Sequence, residues 1–107
     1  MAARSKARIH IHPGEILKEE FLVPLGISAN RLAGSLGVPA NRISAIVNGD
    51  RGITAETAIL LGRALRTTPE FWINLQAHYD LELARSTISA DRVRSAERLA
   101  RELRQAQ

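Results

Sequence analysis

The chain has 107 residues, with 15 Lys+Arg against 11 Asp+Glu for a net charge of +4, 45% apolar and 4% aromatic residues, and no cysteine. A chain this short buries roughly two-thirds of the surface it exposes when unfolded, enough for one core and too little for a deep substrate cavity, so one small domain is expected and a large-pocket enzyme is not. The missing cysteines exclude disulfide scaffolds, thiolate-bound zinc, iron–sulfur clusters and thiol nucleophiles, and fit a reducing compartment, with the cytoplasm as default.

Residues 1–9 carry Arg4, Lys6 and Arg8 without the apolar stretch of a signal peptide, and read as a flexible basic arm. Pro13 suits the first position of a helix, and Ile16, Leu17, Glu20 and Phe21 continue at helical spacing until Pro24 and Gly26, which predicts a helix over about 13–23. Ser28 can cap a second helix carrying Leu32, Ala33 and Leu36, which Gly37 ends; Pro39 opens a third with Ile43, Ile46 and Val47 on one face and Asn48-Gly49 as its stop. Thr54 can cap a fourth helix with Ala58, Leu61 and Leu65 inward and Ile59 and Leu60 beside them. Thr68-Pro69-Glu70 opens a fifth with Phe71, Trp72, Leu75, Tyr79 and Leu83. Ser89 then precedes an arginine-rich stretch whose Val93, Ala96, Leu99, Ala100 and Leu103 form an apolar stripe. No strand pattern competes, and the apolar windows 21–27 and 59–61 fall far short of the ~18 residues of a membrane span.

Two short helices joined through Gly37 have the form of a helix-turn-helix. Ala33 permits a close crossing, Gly37 the sharp turn, and Leu32, Leu36, Val38, Ile43 and Ile46 a shared core. With Ile43 inward, Asn41, Ser44, Ala45 and Asn48 point outward and Arg42 lies at their flank. This small, polar face suits a major groove: Asn pairs with adenine, Arg takes guanine or phosphate, Ser donates or accepts, and Ala meets a thymine methyl. Asn41, Arg42, Ser44 and Ala45 are therefore the candidate base readers, and Arg31, Asn48 and Arg51, near the helix ends, the candidate backbone contacts. The alternative for the same residues is an ordinary solvated helix face, with Asn48 only a helix-ending residue. Positive charge supports the nucleic-acid reading, since it gathers over residues 1–8 (+3), 28–51 (+2) and 86–107 (+2), while 13–27 carry −2.

The runs His12-Pro13-Gly14-Glu15-Ile16-Leu17, Leu25-Gly26-Ile27-Ser28, Asn48-Gly49-Asp50-Arg51-Gly52-Ile53-Thr54-Ala55-Glu56-Thr57-Ala58 and Thr68-Pro69-Glu70-Phe71-Trp72-Ile73-Asn74-Leu75-Gln76 closely resemble the HigA/VapI antitoxins. These are a branch of the Cro/C1-type, lambda repressor-like helix-turn-helix regulators. The resemblance spans about residues 10–85. It implies a five-helix DNA-binding fold, a homodimer on a palindromic operator, repression of its own toxin–antitoxin operon and binding to a HigB-type ribonuclease toxin. Pro39 departs from the pattern, standing where many relatives place Ser or Thr, and the tail 86–107 lies outside it.

Other constellations point less far. His10-x-His12, with His78, lacks an identifiable third metal ligand, and Glu15, Glu19 and Glu20 read as a solvated helix face. No phosphate loop, GxSxG motif or nucleophile–base pair is present, so no enzyme is expected and no cofactor is implied. Phe71 and Trp72, being adjacent, suit one place in the core and one at a subunit contact. The expectation is an all-α chain: an arm over 1–9, a helix-turn-helix domain over 10–85, and an amphipathic helix over 86–107 that contacts a second copy or a toxin. Its expected partners are operator DNA, a HigB-type toxin and a second copy, with no membrane. The rival readings are a stand-alone phage-type repressor without a toxin, and a protein-interaction module that no longer reads DNA.

Overall fold

The computed structural model describes residues 10–106 and contains only helices and their connections there. The basic arm with Arg4, Lys6 and Arg8 lies outside the described residues. Helix α1 runs over residues 13–25, built as Pro13–Ile16, a wider π-helical stretch Leu17–Leu22, and Val23–Leu25. It thus passes through Pro24, where the sequence suggested a stop. In an α-helix the Pro24 ring would press on the carbonyl four residues back. The five-residue ladder before it, in which the Val23 N–H donates to the Lys18 carbonyl, widens that turn and tolerates the ring. Gly26, at φ +67, ends the helix instead.

Helices α2 (Ala29–Leu36) and α3 (Ala40–Val47) form the expected helix-turn-helix, with Gly37 at φ +72 between them. The Ser28 side chain caps α2 by accepting from the Arg31 N–H. Pro39 is the N-cap of α3 rather than its first helical residue, because its ψ of 146° is extended; it supplies a fixed φ and no capping oxygen. Helix α4 (Ala55–Leu65) is capped by Thr54, as anticipated, and α5 (Pro69–Thr87), which opens at the expected Thr68-Pro69-Glu70, is capped by Thr68. Arg66, in the left-handed conformation, closes α4.

Leu17, Leu22, Leu32, Ala33, Ile43, Ile46, Ile53, Ala58, Leu61 and Trp72 make one core drawn from α1 to α5. Trp72, fully buried, donates its Nε1–H to Thr67 Oγ1 at 2.7 Å, so its one polar group is satisfied at the α4–α5 turn. Phe71 remains partly exposed and packs edge-on against Trp72 and Phe21. Ile59, set beside the inward residues of α4 in the sequence reading, faces solvent.

Helix α5 continues to Thr87, beyond residue 85, before Ile88 and Ser89 break it and α6 (Ala90–Gln105) begins. Among the described residues no helix packs along α6, and its Val93, Leu99 and Leu103 are exposed, as are Leu81, Leu83 and Ile88. The radius of gyration, 18.4 Å, against about 13 Å for a compact chain of this size, reflects this projecting end.

Candidate nucleic-acid interface

The α3 surface divides sharply. Ile43 and Ile46 are fully buried against α2 and α1, whereas Asn41 and Asn48 are exposed and Arg42, Ser44 and Ala45 are half-buried at the rim. A one-turn spacing of inward isoleucines leaves the predicted outer face free for a groove. The Ser44 hydroxyl donates to the Asn41 carbonyl at 3.2 Å, so its proton is occupied within the helix and its lone pairs are what it offers outward.

Besides its packing on α2, two contacts set the position of α3. On one side, α1 approaches so closely that a Cβ on Gly14 would overlap the Ile46 carbonyl oxygen and lie 2.7 Å from its carbon and 2.9 Å from Val47 Cα. Glycine alone permits this approach. The α1 entry is held by His12, buried, whose Nδ1 accepts from the Gly14 N–H at 2.9 Å while its ring meets Tyr79 edge-on at 4.9 Å. His12 thus serves as a helix cap, and among the described residues no three His, Cys, Asp or Glu side chains gather.

On the other side lie residues 48–54. The Asn48 and Asp50 N–H groups donate to the Ser44 and Ala45 carbonyls at 2.9 Å, with Gly49 at φ +82 between them. Farther on, the Ile53 N–H donates to Gln76 Oε1 of α5 at 2.7 Å. Arg51 is exposed on the arch between these anchors, next to the C-terminal end of α3. Arg31, also exposed, lies apart from this group: it lines a shallow hollow with Leu25, Ile27, Leu32, Ser35, Ala64 and Leu65, on the side of α2 that faces α4. Gly14 and Gln76 both stand in the runs that carry the family resemblance, but nothing local in the sequence marks either as a support of the helix-turn-helix.

A helix-turn-helix family model matches residues 17–72, from the π-helical part of α1 to Trp72. Virulence-associated protein I of Dichelobacter nodosus is 51% identical over 74 residues, 69% of this chain and 68% of that protein. Antitoxin HigA-1 of Vibrio cholerae is 46% identical over 78 residues, 73% of each. The chain belongs to the HigA/VapI branch of the helix-turn-helix family. Among solved structures, the Pseudomonas aeruginosa antitoxin HigA with higBA promoter superposes with a TM-score of 0.72 at 47% identity, covering 73% of this chain and 85% of that one. The family is one of regulators and antitoxins, not enzymes. Its matched segment contains the whole arrangement of α2, α3 and the 48–54 arch, and ends well before α6.

Proposed function

We propose that this chain is an antitoxin that represses its own operon. A dimer places two α3 helices in successive major grooves of a palindromic operator, and another surface neutralises a HigB-type ribonuclease toxin. The observation that carries the DNA reading is the α3 face itself: Asn41 exposed, Ser44 and Ala45 at the rim, above isoleucines with no exposure. Asn41, Arg42, Ser44 and Ala45 read bases, and Asn48 and Arg51 grip phosphates. Arg31 reaches a phosphate only from the flank.

Dimerisation follows from information content, since one short helix reads one half-site and useful selectivity needs two, one DNA turn apart. The toxin and the cytoplasmic setting are supported by kinship to an antitoxin HigA and to a HigA solved with its promoter. Residues 86–107 supply a contact to a second copy or to the toxin, as the unpaired apolar residues of α6 suggest.

Co-expression with the product of the small reading frame beside its gene, read by co-elution and growth, tests the toxin assignment. Co-elution with rescue of growth is expected. A harmless neighbour, or a toxic one neither bound nor neutralised, would leave a repressor alone.

A further inference from the structure

We infer that Gln76, half-buried on α5 and far from the α3 face in sequence, is a positioning residue for DNA binding: its side-chain amide holds the phosphate-gripping arch in place. The inference rests on the DNA reading above. Residues 48–50 are tied to the end of α3 by backbone hydrogen bonds, and Ile53, 4% exposed, is sunk in the core. Between these ends the chain must arch over α5, carrying Arg51 outward. Gln76 Oε1 accepts the Ile53 N–H at 2.7 Å, while its Nε2 donates to Asp80 Oδ1, one turn along α5, at 3.0 Å. Asp80 therefore fixes which end of the amide faces the arch. The arch also rests on that amide: a Cβ on Gly52 would stand 3.1 Å from its carbon, nitrogen and oxygen alike, so the backbone beside Arg51 lies directly against it.

The hydrogen bond spans 23 residues of sequence and joins α5 to the far end of the arch that follows α3. Removing it leaves the Ile53 N–H without its acceptor and frees Arg51 from one of its two anchors. The arch then no longer presents Arg51 to a phosphate, and that contact is lost from the complex.

The test uses the full chain and a duplex from the region upstream of its own coding sequence, with a scrambled duplex as control, titrated over a range of salt. Gln76→Ala should weaken binding to the upstream duplex about three- to tenfold and make its salt dependence shallower by about one unit, the signature of one lost phosphate contact. In an Arg51→Ala background the same substitution should add less than about twofold, because the residue it positions is already gone. Gln76→Glu alone, which sets a carboxylate beside Asp80, should also weaken binding. Paired with Asp80→Asn, which reverses the second hydrogen bond and keeps the first, it should restore wild-type affinity and salt slope. That rescue carries the test even where Gln76→Ala fails to fold. An unchanged salt slope for Gln76→Ala, an undiminished loss in the Arg51→Ala background, or no rescue by the pair would overturn the role of Gln76 and leave the DNA reading standing. Failure of the wild-type chain to prefer the upstream duplex would overturn both.

Discussion

Gly14→Ala should be among the most damaging single-methyl additions in the chain, and the structure gives the scale. The new Cβ would overlap the Ile46 carbonyl oxygen and sit 2.7 Å from its carbon, about 1 Å inside the 3.5–4.0 Å of an ordinary carbon contact. Both opposing groups are backbone, so no side chain can turn aside; α1 must move back by at least about 1 Å. A gap of that size forfeits about a quarter to a half of each dispersion contact across it. Overpacking of this kind costs about 1–3 kcal/mol and occasionally more; with the His12 ring also drawn off Tyr79 of α5, about 3 kcal/mol or more is expected. At ~4–8 °C per kcal/mol for a domain near this size, Tm should fall by more than about 12 °C. Gly34→Ala is the control: Gly34 is helical, its added methyl meets nothing within 4 Å, and the change should stabilise by about 0.5–1 kcal/mol. Thermal and urea unfolding followed by circular dichroism would measure both. A Gly14→Ala protein within 1 kcal/mol of wild type would refute the close α1–α3 contact.

Other substitutions separate base reading from phosphate gripping. Asn41→Ala should cost ~1–3 kcal/mol on the operator and relax discrimination at one base pair; equal losses on operator and random duplex would remove Asn41 from base reading. Arg51→Ala should weaken binding to all sequences alike and flatten the salt slope by about one unit. Arg31→Ala, on the far side of α2, should change that slope by less, and a loss equal to that of Arg51→Ala would place Arg31 on the DNA as well. Truncation after Thr87 should leave the helix-turn-helix folded, since no helix among the described residues packs along α6, but lower dimerisation or toxin binding; sedimentation and toxin pull-down showing neither change would dismiss α6 as an interface.

What could be read from the sequence was local. Ser28 and Thr54, read as caps, and Thr68 and Ser89, read only as standing before a helix, each cap the helix that follows by accepting a backbone N–H three residues on, and such short-range signals survive without knowledge of the fold. The α3 face was legible because burial repeats with the helical turn. Pro24 misled because a π-helical stretch, which no residue pattern announces, admits a proline that an α-helix would reject. Gly14 and Gln76 were opaque for another reason. Each acts on a partner distant in sequence, Gly14 on Ile46 and Gln76 on Ile53, and spacing rules reach only four residues or so along a helix. The exposure of the α6 stripe was likewise beyond reach, because amphipathic patterning says that a helix seeks a partner and not whether its own chain supplies one.

The most direct test of the account is a footprint of the wild-type chain and of Asn41→Ala on the region upstream of its own gene, at two salt concentrations. The account predicts two related half-sites protected about one DNA turn apart, sensitive to salt, and blurred toward neighbouring sequences by Asn41→Ala. Uniform coverage of any duplex, or protection unaltered by the substitution, would contradict the claim that the outer face of α3 reads DNA.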